Sequence, residues 1–280
     1  MPAIYAMDTF FYTSLGSYDV TARCQMLSEL GYDGTYLTVW SPQAERDIAL
    51  LDTVPAMHKL AVHGVYFMLN IADEHAMRHT LALIAQVPVA TTIELAVFVG
   101  QPNQHQQDAQ FDALLLNYLP QLCQIAEQHN HQLALYPHVQ FWLETAADAV
   151  RICTKYPHPR LGIAFTAFHW YASGQRDLVA TLHLIAPWLK SANICGSRML
   201  PPGNTLPASI ELIDRGELDL FVVLCHLKAI GYTGPIGLQG YGIGGDVYHN
   251  LRTSINTFRD LNTRVALRSH WAHGRSPEVS

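Results

Sequence analysis

Charge is scarce in this 280-residue chain. Only 14% of its residues are Asp, Glu, Lys or Arg, the net charge is −6, and no Lys/Arg cluster occurs. The phosphate-neutralising face of a nucleic-acid binder is therefore missing. Long apolar runs are missing as well. Although 49% of the chain is hydrophobic, no stretch reaches the ~18 residues of a membrane helix. The five cysteines (Cys24, Cys123, Cys153, Cys195, Cys225) lack metal-type spacing and sit inside apolar patterns. They read as buried free thiols of a reducing cytoplasm. The opening MPAIYAMD enters a strand pattern without the basic stretch or cleavage site of a secretory signal. These absences predict a cytoplasmic protein with no nucleic-acid or membrane partner; self-association into a homo-oligomer stays open.

What is present is a repeat. Short apolar strands alternate with helical periodicity at intervals of roughly 30 residues. Strands are predicted over 3–7, 34–39, 62–69, 92–99, 132–136, 161–165, 191–195 and 235–238. Helices are predicted near 17–30, 43–60, 73–85, 108–129, 143–155, 177–188, 216–230 and 247–261. Eight such units match an α/β fold of the (β/α)8 TIM barrel type, whose usual length is about 250 residues. The expected organisation is one barrel domain over 1–268 and a C-terminal tail over 269–280. In such a barrel the carboxyl ends of the strands line the active site, which directs attention to Gln239 after the last strand.

The segments LSELGYDGTYL, LALYPH, LGIAFTAFHWYASG and GELDLFVVLCHLKAIGYTGPIGLQ resemble the xylose isomerase-like TIM-barrel superfamily of sugar-phosphate isomerases and epimerases. The resemblance runs from about residue 3 to 262. It implies a small carbohydrate substrate and a divalent ion, often Mn, held by strand-end Glu, Asp, His and Glu residues. The two Glu residues would exchange the substrate's proton. Those four positions fall here on Tyr136, Thr166, Asn193 and Gln239, and a further Glu position of strand two falls on Tyr36. Hard divalent cations prefer carboxylate oxygen and imidazole, so no metal cofactor is expected.

His138 and His169 remain beside the replaced positions. An unperturbed imidazole titrates near 6.5, which suits proton transfer. They are the candidate catalytic residues, or else hydrogen-bonded scaffold. Tyr136, Thr166, Asn193, Arg198, Gln239 and Trp40 are the candidate substrate-binding residues, through hydroxyl recognition, an aromatic platform and the guanidinium fork. For Trp40, packing beneath a loop competes with ligand contact. Glu94 lies early in its strand and is expected to be paired inside the barrel. The histidines at 129, 131, 270 and 273 read as surface features. The Pro- and Gly-rich loop after Arg198 is long enough to cover a pocket or serve a subunit contact.

Three functional readings stand at this point. The first is an isomerase or epimerase that works by proton transfer without metal. The second is a non-catalytic carbohydrate-binding or regulatory barrel. The third retains a metal through His138, His169 and an unidentified ligand.

Overall fold

The computed structural model describes residues 2–101 and 109–274. Among these, eight parallel strands close into a barrel: β1 (Ile4–Ala6), β2 (Gly34–Val39), β3 (Ala61–Asn70), β4 (Thr92–Phe98), β5 (Gln132–Leu135), β6 (Leu161–Thr166), β7 (Leu189–Ile194) and β8 (Ile236–Leu238). β8 returns to pair with β1. The chain forms the expected (β/α)8 TIM barrel. The surrounding helices are α1 (Val20–Leu30), α2 (Pro42–Asp47), α3 (Val54–His58), α4 (Glu74–Ile84), α5 (Asp112–Gln128), α6 (Ala146–Lys155), α7 (Ala167–Ala172), α8 (Leu178–Ile185), α9 (Leu220–Ala229) and α10 (Val247–Arg268). Among the described residues no helix is long and apolar enough to cross a membrane. All five cysteines are free and buried.

Helix boundaries follow local chemistry. The Asp19 side chain accepts from the Ala22 N–H, so α1 starts at Val20 instead of near Ser17. Gly16–Ser17 pairs instead with Tyr12–Thr13 in a short hairpin. Thr145 and Asp148 form a reciprocal capping box, which starts α6 at Ala146 and satisfies two otherwise orphaned N–H groups. The helix expected over 43–60 is broken into α2, a 3-10 turn and α3. Pro55 sits in the first turn of α3, because a proline inside one continuous helix would remove a hydrogen bond and clash with the preceding turn. The start expected for the fourth predicted helix, Asp108, lies outside the described residues. α10 runs on to Arg268, since Leu251, Ile255, Phe258, Leu261 and Val265 continue one buried stripe at helical spacing. Ser269–His273 then forms a 3-10 turn, with Trp271 close to Phe221.

Among the described residues two main apolar layers result, beside a minor cluster around Val139 and Phe168. The larger lies between the strands and the helices. The smaller fills the barrel and contains Tyr5, Tyr36, Tyr66 and Tyr136. Glycines make room for these rings. A Cβ on Gly64 would lie 2.5 Å from the Tyr36 ring, and one on Gly237 would lie 2.1 Å from Asn193 Oδ1. Tyr5 and Tyr36 stack with centroids 5.8 Å apart.

At the centre of this layer is Glu94, fully buried. It accepts hydrogen bonds from the Tyr36 hydroxyl, the Ser191 hydroxyl and the Asn193 amide. Tyr5 donates in turn to Asn193 Oδ1 at 2.7 Å. Burial pushes the Glu94 carboxyl up from its ordinary pKa, against the lowering effect of Ser191, Tyr36 and Asn193. Glu94 is thus paired inside the barrel.

Candidate active site

A cavity of about 310 Å³ opens at the carboxyl ends of the strands. β1 and β2 bring Thr9, Thr38 and Trp40 to it, β3 brings Tyr66, and β8 brings Gln239 and Tyr241. Tyr136 and His138 follow β5, and His169 lies in α7 just after β6. The loop after β7 supplies Thr205, Leu206 and Ile210. Among the described residues no Asp, Glu, Lys or Arg lines this cavity. A larger cavity of about 440 Å³, between α9 and α10, lies at the amino ends of β1 and β8, away from the carboxyl ends, and is walled mostly by apolar groups.

The two histidines are held as a pair, with ring centroids 3.9 Å apart. His138 Nδ1 is 2.8 Å from the Val139 carbonyl. A carbonyl only accepts, so Nδ1 carries the proton and Nε2 is left basic. The Val139 N–H donates to His169 Nδ1 at 3.2 Å, which leaves the His169 proton on Nε2. One residue, Val139, thereby sets opposite tautomers in neighbouring rings. Burial pushes His138 down to about 4. Burial, then the neighbouring His138, holds His169 well below the ordinary imidazole range. Both rings are neutral at pH 7.

Tyr136 meets the His169 ring edge-on at 5.3 Å and the Tyr66 ring at 5.1 Å. Burial, followed by the Glu94 charge, raises its phenol far above the usual range, so it remains a neutral hydroxyl. Gln239 is buried, and its side-chain Oε1 has no hydrogen-bond partner among the described residues. A buried carbonyl oxygen without a donor is costly, so Gln239 suits a ligand that brings one. Trp40 is 45% exposed and stands at the mouth, instead of packing beneath a loop.

The remaining candidates do not converge on the cavity. Asn193 is fully buried, with its amide committed to Glu94 and Tyr5. Thr166 lines a crevice of about 20 Å³ together with Pro137 and Trp170. Arg198 points to Glu211, at 2.8 Å, in an exposed ion pair across the loop. The structure instead adds Tyr66, Phe141 and Tyr241 to the cavity wall. Tyr66 carried a signal, since Gly64, Tyr66 and Met68 alternate along one face of a strand. Phe141 and Tyr241 lie in loops and carried none.

A family model described as xylose isomerase-like TIM barrel matches residues 24–261. The chain belongs to this family. None of the curated proteins compared with it matches. Among solved structures, 3-keto-D-glucoside 4-epimerase from E. coli in its apo form is similar over 93% of this chain and 100% of that one, with 18% identity and a TM-score of 0.71. An L-ribulose 3-epimerase is similar over 99% and 100%, with 15% identity and a TM-score of 0.74. The IOLI protein with a bound zinc atom is similar over 94% and 99%, with 16% identity and a TM-score of 0.75. At such identities the likeness establishes the xylose isomerase-like fold alone. Among the described residues of this family member, no group of three or more His, Cys, Asp or Glu side chains is placed to hold a metal ion.

Proposed function

We propose that this barrel takes a small neutral carbohydrate into its strand-end cavity and does so without the divalent ion typical of the family. The observation that carries this reading is the uncharged lining, with Tyr136 and Gln239 at the positions where the resemblance calls for Glu. The donor set does not fit a divalent cation. Tyr36 and Asn193 are tied to Glu94, Tyr136 keeps its proton, and Gln239 offers only a neutral amide oxygen. Neither Tyr136 nor Gln239 offsets the dehydration of a 2+ ion. His138 and His169 each have Nδ1 engaged with Val139, and two imidazoles alone make an incomplete site.

The same lining suits hydroxyl recognition. Gln239 Oε1 and His138 Nε2 accept, and His169 Nε2–H donates, so one polyol can satisfy all three. Aromatic faces cover the apolar faces of a sugar ring. The five buried free thiols support a cytoplasmic setting.

A second reading is metal-free proton exchange, with His138 Nε2 as base and His169 Nε2–H as the donor to the carbonyl oxygen. The opposite tautomers favour it. Against it stands a His138 conjugate acid of about 4, since a base that weak gives little driving force for removing a carbon-bound proton.

Proton–deuterium exchange next to the carbonyl of a panel of ketoses, in heavy water without added metal, separates the two. The expected result is saturable binding of a neutral sugar with no exchange above background. Exchange that disappears in His138→Ala would install the second reading. Failure of every neutral carbohydrate to bind, with tight binding of a phosphorylated one, would remove the first.

A further inference from the structure

The cavity has two chemically different ends. The inner end carries Gln239, with its unpartnered buried oxygen, and the neutral His138–His169 pair. The outer end is aromatic and open. Trp40 and Tyr241 are 45% and 47% exposed, and their centroids lie 5.8 Å apart at an interplanar angle of 73°. Large aromatic side chains left this exposed beside a cavity usually mark a contact surface.

Trp40 is also held in place. Tyr66 meets it edge-on at 6.4 Å, and Tyr12 lies against it at 5.7 Å. The Tyr12 hydroxyl donates to Asp8 Oδ2 at 3.0 Å. Asp8 is itself buried, bonded by the Thr38 N–H and hydroxyl and paired with Arg23 at 3.2 Å. A buried ion pair with this many hydrogen bonds over-determines its geometry. Trp40 is therefore ordered before any ligand arrives, which lowers the entropic cost of binding to it.

From this arrangement we infer that the ligand has two rings: a neutral sugar ring at the inner end, glycosidically joined to a second ring that rests on Trp40 and Tyr241. The inference builds on the neutral-carbohydrate reading above and adds its outer half. Trp40 and Tyr241 keep nearly half of their surface exposed, which a second ring can cover. The second ring is either another sugar or an aryl group, because both present an apolar face to an aromatic platform. Phosphorylated sugars are disfavoured, as no cation lines the cavity among the described residues.

Calorimetric titration tests this with neutral monosaccharides, their methyl glycosides, neutral disaccharides and phenyl glycosides. The expected result is that at least one two-ring ligand binds tenfold or more tightly than the corresponding methyl glycoside. Preference for the disaccharide or the phenyl glycoside then identifies the second ring. In Trp40→Ala, two-ring affinity falls by about tenfold more than one-ring affinity, and Trp40→Phe restores part of the difference. Circular dichroism confirms that both variants fold. Equal binding of one-ring and two-ring ligands, or an equal loss of both in Trp40→Ala, overturns the inference and leaves the neutral-carbohydrate reading standing. If no neutral carbohydrate of either size binds, both fall.

Discussion

Replacing Glu94 by alanine lowers the stability of the barrel by about 3–5 kcal/mol, the combined cost of several buried donors left without an acceptor and of the cavity that opens. Glu94 is the acceptor for Tyr36, Ser191 and Asn193, and through Asn193 it also fixes Tyr5. Alanine removes that acceptor and opens a hole where no water-exposed surface can re-solvate the orphaned donors, each of which then carries its own desolvation penalty. For a domain of this size the loss corresponds to a fall in Tm of about 10 °C. Glutamine behaves differently. Its carbonyl keeps one acceptor, and its NH2 can donate to the Tyr36 or Ser191 hydroxyl, either of which can accept. Glu94→Gln is expected to cost less than about 2 kcal/mol. Urea unfolding at pH 7 measures both. Equal losses for the two variants would show that the network needs the carboxylate's two acceptor oxygens and that an amide of the same volume cannot stand in for it.

Below pH 6.5 the buried histidines make the protein sensitive to acid. His131, expected at the surface, is instead fully buried just before β5, with neither ring nitrogen bonded among the described residues. Burial, then His129 and Arg160, pushes it down to about 4. Burial puts His138 at about 4 and His169 lower than its ordinary value. In the unfolded chain each titrates near 6.5. Between those values the unfolded state binds more protons, so stability is complete above pH 6.5 and is lost as the pH falls toward 4. From pH 6.5 to 5 His138 removes about 1.5 kcal/mol, and His131 and His169 act in the same direction. Asp8 and Glu94 act with the opposite sign. Their raised folded-state values mean that the folded state takes up protons first, so they return stability as the pH falls toward the ordinary carboxylate range. Urea midpoints at pH 7.5 and 5 report the sum. Their difference should shrink in His131→Phe, which removes one of the titrating rings. A midpoint independent of pH, or an unchanged difference in that variant, contradicts the assignment.

The barrel itself was legible because its strands are buried on both faces and read as short apolar runs, as in VYFML and TIELAVFV. That Tyr136, His138, His169, Gln239 and Trp40 line the candidate cavity was legible from their places just past strand ends. Asn193 was not, because strand ends in a tilted barrel do not lie at one height. Asn193 is in register with Gly237, two residues before Gln239. It therefore turns into the layer below the cavity, through the space that Gly237 leaves free. Arg198 was misread for another reason. Its partner, Glu211, lies in the same irregular loop, and no periodicity announces such a pairing. The break between α2 and α3 was written in Pro55, whereas the continuation of α10 was obscured by the charged residues between its apolar positions.

The central claim is that the cavity is uncharged and offers no seat for the divalent ion that the family resemblance implies. Metal content after incubation with Mn²⁺, Co²⁺ or Zn²⁺ and desalting, read by elemental analysis, tests it most directly. The account predicts far less than one ion per chain for every metal, and no change when Gln239 is replaced by leucine. One tightly held ion per chain, lost in a His138→Ala or His169→Ala variant, would contradict it.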